Sequence, residues 1–498
     1  MKRIYKFLFI ISFFTSIIIQ DGDFSTGDTT QRYQITKSLW TDEPQIDTLN
    51  FPFGLLGRNG ERHYWFGVGQ SLVMIPSDIV AKYFVDIFDL QEPLYSKVRI
   101  ALVCYLTFPI LTALAVTVSF KVLVLLGFSL LQSTVGSLSL LFCTSLLPYT
   151  QINHENNLIV LLTLLSLFFI LKWIKYQNNH YLFLSYFFMG FNFLTRLTTI
   201  FDFLMISTFV FLYYLINFRS GIISKSVLIK KIRDVFTIAF PTCLLFVFFE
   251  RWYNWSRFGT WTRTYQSILD EQVPGLFQAI DHYGGFFTQL LNFLFNSDFS
   301  IFLYDPLLIL LMFVVVLKFK NFDFQLKVLV SSIIIFLFAY IIFYSFQPFR
   351  ISCWGNRYLM GCINICTLFA LPLSLKFSNR IISIKWIVVF FALLVQLLSI
   401  TKHFRLEILQ QRESLDHLPV LYLRFLNLFN FSISDYQEAG LSYSIIAERE
   451  ITLNFMPFLV SKYFPYYIQN TILFIWFGLL LFVLINLFFL FHHLRKSY

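Results

Sequence analysis

Two carboxylates and a set of arginines are the residues of this chain whose types and spacing suit chemistry. Asp28 opens a helical pattern in GDTTQRYQITKSLW, soon after the first apolar run. A carboxylate fixed there can act as a general base that takes a proton from a hydroxyl. The plainer alternative is a capping box, with Asp28 as N-cap, Gln31 three residues on, and Arg32 as an ordinary i,i+4 partner. The two roles are compatible. Asp21 and Asp23 lie closer to the apolar run but have no helix behind them. Glu155 follows His154 in LLPYTQINHENNL, and the pair can ligate a divalent cation or orient a substrate. One such pair is a weak metal signal, because a site usually needs three or more protein ligands. Residues of this kind more often simply solvate a turn.

The cationic candidates fall into three groups. In GRNGERHYWFGVGQSL, Asn59-Gly60 is a tight-turn signal, so a small hairpin can present Arg58, Arg62, His63 and Tyr64. Gly67 and Gly69 then let the backbone pass close to another group. Arginine suits phosphate, because its planar fork makes two parallel charge-assisted hydrogen bonds. Spacing alone favours a solvated loop with interfacial Tyr64 and Trp65. Arg196 in FNFLTRLTTIF, with Asp202 six residues on, stands between two apolar runs. A charge at that depth is costly and marks a functional-site hypothesis; snorkelling to the interface is the alternative. Arg357 in WGNRYLM begins a later run with Arg350 nearby, and Arg251, Arg257 and Arg263 form a basic, aromatic rim.

The elements that must position these residues are membrane helices. Only 13% of the 498 residues are charged and 57% are hydrophobic, against roughly 25% charged in a soluble domain. With a mean hydropathy of +0.68 and many long apolar runs, the class is an all-α polytopic membrane protein. The first run, Ile4 to Ile19, lacks a small-x-small cleavage site and is expected to remain as a span with its N-terminus inside. Later runs near 98–119, 122–147, 158–176, 181–199, 201–217, 235–250, 301–317, 327–346, 357–375, 383–400 and 470–491 bring the expected total to about twelve. Alternating sides from that start puts 19 of the 38 Lys and Arg inside with only two acids, Asp234 and Asp323, as the positive-inside rule requires. No basic stripe points to nucleic acid. The six cysteines show no metal-ligand spacing, and no disulfide framework is expected. The long polar segments fall outside: a first loop over 20–97, a 251–300 loop and a 401–469 domain, with 470–498 as the last span and tail. Ser77-Asp78 is expected to N-cap a helix lying on the membrane surface.

The pattern resembles the GT-C membrane glycosyltransferases, the group of the protein O-mannosyltransferases and aminoarabinose transferase. The likeness rests on Gly27-Asp28 leading into RYQITKSLW and on NGERHY running into GQSLVMIP. It continues through Glu155, LTRLTT, YNWSRFGTW, YDPLLILL and WGNRYLM, in order over roughly residues 1–375. The resemblance implies a GT-C-like bundle over residues 1–400, with juxtamembrane helices in the first outer loop. It implies inverting transfer of a sugar from a polyprenyl-phosphate donor to a lipid, glycan or protein acceptor hydroxyl. Asp28 would be the base, and Arg62 and Arg357 (or Arg58 and Arg196) would stabilise the departing lipid phosphate. Glu155 would correspond to the second-loop carboxylate, which in relatives binds a metal or positions substrate, so a divalent cation is the candidate cofactor. Two departures stand out: Thr29 replaces the second acid of the usual pair, and Arg62 is only a rough equivalent of the phosphate-contacting lysine. The expected location is a bacterial inner membrane with the active site facing outside. A polysaccharide polymerase or ligase is the alternative from a neighbouring class, and a lipid-linked glycan transporter is the non-enzyme alternative. Transporters usually carry repeats and broken midplane helices, of which this chain shows little.

Overall fold

The computed structural model describes residues 2–46, 54–272, 285–346, 354–377, 384–403, 405–413, 418–429, 452–459 and 466–496. The chain opens with α1 (Lys2–Ile19) and α2 (Gly27–Ser38), then a hairpin of β1 (Leu55–Leu56) and β2 (Arg62–His63). There follow α3 (Gly69–Ile87), α4 (Leu94–Leu125), α5 (Leu130–Phe142), α6 (Leu146–Ile152), α7 (Asn156–Tyr176) and α8 (Asn179–Thr195). Among the described residues, six helices are long and apolar enough to cross a membrane: Leu94–Leu125, Asn156–Tyr176, Leu197–Arg219, Lys225–Phe258, Phe324–Ser345 and Tyr466–Lys496. A seventh is added if α5 and α6, bent by 46°, are one span. The protein is thus an all-α membrane protein among its described residues, with one two-stranded hairpin.

The core forms where α1, α4, α7 and α8 pack side by side. Small and hydroxylated side chains sit between them, as is usual where lipid offers no hydrophobic drive and close packing must hold helices together. Ser166 and Ser185, for instance, bond 2.9 Å apart between α7 and α8. Gln151 ties helix ends to one another: its Nε2 donates to the carbonyls of Ile19 at 2.8 Å, Asn454 at 2.6 Å and Ile400 at 3.1 Å.

Two local expectations are corrected. Asp28 is not the N-cap of α2; Thr26 is, its Oγ1 accepting from the Thr29 amide at 3.1 Å. Asp28 therefore lies in the first turn with its carboxylate released for other partners. Ser77-Asp78 does not start a helix either, because α3 begins at Gly69 and runs through Pro76. Asp78 is fully buried and accepts from Arg99 Nη2 at 2.7 Å and Nε at 2.8 Å, Tyr33 at 2.6 Å and Trp40 at 3.0 Å. The local cap signal lost to a long-range ion pair between α3 and α4. The hairpin is found as expected, with Gly60 at φ +78° in the turn.

Removing one partner of a buried ion pair strands the other. Asp78→Asn should lower stability by about 3 kcal/mol or more, read as a fall in the melting temperature of the detergent-solubilised protein.

Candidate functional site

The site is built where α2, the turn before α7, the turn after α8 and the 354–359 turn meet. The node is Asn153, which ends α6 in the left-handed conformation (φ +60°), a geometry that Asn tolerates better than most residues. Its carbonyl accepts from Thr29 Oγ1 and Gln70 Nε2, both at 3.1 Å, and its Nδ2 donates to the Asp23 carbonyl at 3.1 Å. That turn hands the chain to His154 and Glu155. Glu155 sits at the N-terminus of α7, where the positive end of the helix dipole favours a carboxylate.

Glu155 is 2% exposed and is surrounded by cations. Its Oε2 lies 2.9 Å from Arg32 Nη1 and 2.6 Å from His154 Nδ1. Its Oε1 is held by Arg196, through Nε at 3.2 Å and through a close Nη2 contact. Burial pushes the Glu155 carboxyl up, but Arg32, His154 and Arg196 outweigh it and hold the group well below the usual carboxylate range. Arg196 lies in extended backbone between α8 and the next helix and also donates to Asn156 Oδ1 at 2.9 Å.

A third guanidinium–carboxylate pair closes the ring. Arg357 Nη1 reaches Asp28 Oδ2 at 2.8 Å and His154 Nε2 at 3.5 Å, while Nη2 donates to the Tyr358 hydroxyl at 2.8 Å. His154 Nε2 is 3.6 Å from Asp28 Oδ2, so its ring stands between the two carboxylates. Burial works against the ionised Asp28, yet the neighbouring His154 and the Arg357 charge keep it below its ordinary range. Three guanidiniums face two carboxylates, an excess of one positive charge before His154 is counted. Asp28 (31% exposed) and Arg357 (17%) form the accessible edge, while Arg32 and Glu155 stay inside. The arrangement can present an ionised carboxylate beside a cation able to take an anion.

The hairpin residues meet different partners. Arg58 lies over the Trp255 ring at 4.7 Å, and Arg62 Nη1 donates to the Gly54 carbonyl at 2.9 Å. His63 meets Phe258 edge-on at 5.9 Å, its imidazole lowered by burial and by Arg257. The Tyr64 carbonyl accepts from Arg257 Nη1 at 2.5 Å. Phe66 joins this wall to the site: its carbonyl accepts from Arg257 at 3.4 Å, and Arg32 sits 4.2 Å above its ring. The two glycines act as expected. A Cβ on Gly67 would lie 2.4 Å from the Leu194 carbonyl oxygen, and one on Gly69 would lie 2.3 Å from Thr195 Oγ1. Arg196 follows directly.

Asp202 is buried a short way along the following helix and is not the hydrogen-bonded partner of Arg196. Asp21 accepts from Ser25 at 2.8 Å and Asp23 from the Phe24 amide at 2.7 Å, so both serve the local turn. Arg350 lies outside the described residues. Asn156, Tyr358 and Tyr265 were not singled out by sequence. The first two flank Glu155 and Arg357, and Tyr265, beyond Arg263, lies within electrostatic reach of Tyr358, Arg196, Arg32 and Glu155.

A divalent cation does not fit this donor set. Both Glu155 oxygens are taken by cations, and among the described residues no group of three or more His, Cys, Asp or Glu could hold a metal ion. Compared with known proteins, the chain matches no family model and none of the curated proteins.

Two outcomes are expected. Glu155→Gln should destabilise the protein by about 3–5 kcal/mol, because it leaves buried Arg32 without its countercharge, and chemical or thermal unfolding in detergent measures this. Asp28 is a carboxylate whose folded pKa is depressed. Its contribution is therefore complete above the unfolded value of about 3.9 and is lost as pH falls from there toward the folded value. Melting curves from pH 7 to 3 should run parallel for wild type and Asp28→Asn down to about pH 4. Below that they should converge, as the wild type loses what the variant never had.

Proposed function

We propose that the protein is an inverting glycosyltransferase that moves a sugar from a polyprenyl-phosphate donor to an acceptor hydroxyl. The observation that carries this reading is the accessible Asp28–Arg357 pair, a carboxylate and a guanidinium 2.8 Å apart at the mouth of a cluster with net positive charge. A lipid phosphate brings the anion that Arg357 can take, and an acceptor hydroxyl brings the proton that Asp28 can take. The likeness to the GT-C enzymes is the second support.

The chemistry follows from the two roles. The acceptor oxygen bonds to the anomeric carbon from the face opposite the phosphate, the carbon–phosphate oxygen bond breaks, and the hydroxyl proton passes to Asp28. Negative charge grows on the departing lipid phosphate. Arg357, backed by Arg196, stabilises that charge where it develops. Arrival of the phosphate draws Arg357 away from Asp28 and so makes the carboxylate a better base at the moment it is needed. Glu155 and His154 hold the arginines and Asp28 in register. In this reading Arg58, Arg62, His63 and Tyr64 form the wall on the Arg257 side of the substrate cleft. No step passes through a metal.

The membrane frame belongs to the same proposal. The six long helices become about twelve spans if α1, the α5/α6 pair, α8, Leu307–Lys318, Met360–Lys376 and Lys385–Ser399 also cross. The site end then faces outward from a bacterial inner membrane, where the lipid donor is presented.

Transfer from a panel of radiolabelled polyprenyl-phosphate sugars, in membranes carrying wild type or variants, tests the reading. Asp28→Asn keeps shape but accepts no proton, and should cut transfer by about a hundredfold or more at normal protein levels. Arg357→Lys should retain part of the rate, because a point charge replaces the fork. Full activity of Asp28→Asn would move the base elsewhere. No transfer by wild type from any donor would turn the assignment to a polymerase, ligase or transporter.

A further inference from the structure

The segment after residue 400 has no counterpart in the resemblance, yet it contains a fully buried ion pair. Arg424 and Glu407, on the helices Val420–Asn427 and Leu406–Glu413, are both 0% exposed and meet at 2.6 Å. Asn427 Nδ2 donates to the other Glu407 oxygen at 3.0 Å. Arg424 Nη1 also donates to the carbonyls of Ser399 at 3.0 Å and Lys402 at 2.7 Å, where the helix Lys385–Ser399 ends. A cation this deep costs several kcal/mol in desolvation. Fixing the tail to one helix end does not need it, since apolar packing would serve.

What else the guanidinium touches gives the reason. It lies 5.3 Å from the centroid of Trp354, in the turn that carries Arg357. Trp354 is 3% exposed and is clasped on another side by Tyr304, edge-on at 5.1 Å. Its carbonyl accepts from the Tyr149 hydroxyl at 2.9 Å. Gly355 follows at φ +57°, and a Cβ there would meet Tyr304 Cβ at 3.0 Å, so the turn is pressed onto the base of the Tyr304 side chain. Asn356 Oδ1 then accepts from the Tyr358 and Leu359 amides at 3.2 and 3.3 Å, which aims Arg357 back at Asp28. Two residues, Gly355 and Asn356, separate the ring under Arg424 from the guanidinium that faces the base.

We infer that Arg424 is a positioning residue for Arg357: the segment after residue 400 clamps Trp354 and thereby fixes the turn that presents the site's accessible cation. The placement stands on geometry; its consequence for transfer rests on the function proposed above. Loss of the planar guanidinium loosens the turn, and Arg357 then spends less time where the leaving phosphate develops charge. That lowers kcat more than it raises the donor KM, because the phosphate carries more charge as it departs than as it arrives.

Two variants of the full-length protein in detergent test this. Arg424→Lys keeps the charge against Glu407 but loses the stacked fork. The double change Arg424→Met with Glu407→Leu removes both charges together, a replacement that buried pairs often tolerate. Hydrogen exchange followed by peptide mass spectrometry reports the turn whether or not the enzyme reading holds. Peptides spanning 354–359 should exchange about tenfold faster or more in both variants, with α4 and α7 unchanged. Transfer from the wild type's best donor should fall about tenfold, in kcat. Wild-type exchange at 354–359 with loosening confined to 405–429 would overturn the inference, as would uniform loosening of all peptides. A loosened turn with transfer at the wild-type rate would uphold the clamp and overturn the role given to Arg357 in the reaction.

Discussion

A carboxylate taken out of water beside several cations constrains everything around it, and Glu155 is that carboxylate. It carries Arg32 and His154 on one oxygen and Arg196 on the other. Each of these groups would be expensive to bury alone, and each is paid for by the others only while the geometry holds. The elements that supply them come from residues 32, 154 and 196, so α2, α7 and α8 must meet at one point. Folding this end of the bundle and assembling the site are therefore one process.

The backbone around Glu155 shows how that meeting is enforced. Asn153 takes a left-handed turn so that α6 can stop and α7 can begin with Glu155 at its positive end. Arg196 is held extended between two helices, where its backbone cannot be reabsorbed into either. Gly67 and Gly69 let the first loop lie against Leu194 and Thr195 with no room for a side chain, which brings Phe66 under Arg32. Gly355 performs the same service against Tyr304 for the turn bearing Arg357. Close approach and charge pairing thus fall on neighbouring residues at each corner.

This explains what was legible from the chain and what was not. Asp28, His154, Glu155, Arg196 and Arg357 stood out because each is a titratable or charged residue at the edge of an apolar run, and all five meet. The hairpin at Asn59-Gly60 was legible because its signal is local turn chemistry. Asp28 as an N-cap failed because Thr26, two residues earlier, caps the helix. Its carboxylate finds an arginine 329 residues away, a pairing that no local rule registers. Asp78 failed in the same way, its partner being on the next helix. Arg32 was read only as an i,i+4 neighbour of Asp28, because nothing in its own surroundings points to Glu155. Helix lengths were misjudged where a polar stretch stays helical, as in Lys225–Phe258, whose first ten residues include Lys225, Lys230, Lys231 and Arg233.

The Asp28–Arg357 contact differs in kind from the pairs beneath it. Arg32, 5% exposed, is locked on a carboxylate with 2% exposure, and an entering anion would have to break a buried network to reach it, while Arg196, 15% exposed, is committed to the same carboxylate through two of its nitrogens. Arg357 shares its guanidinium among Asp28, Tyr358 and the edge of His154, in a part of the cluster that solvent reaches. Solvent reaches that pair more than it reaches Glu155, and in the proposed reaction this is the arginine that the donor phosphate engages. The buried pairs supply a fixed positive field behind it, and the exposed pair supplies the exchangeable partner. In the proposed reaction rigidity and reactivity are thereby divided between the two carboxylates: Glu155 holds Arg32 and Arg196 in place, and Asp28 is the carboxylate that the donor releases.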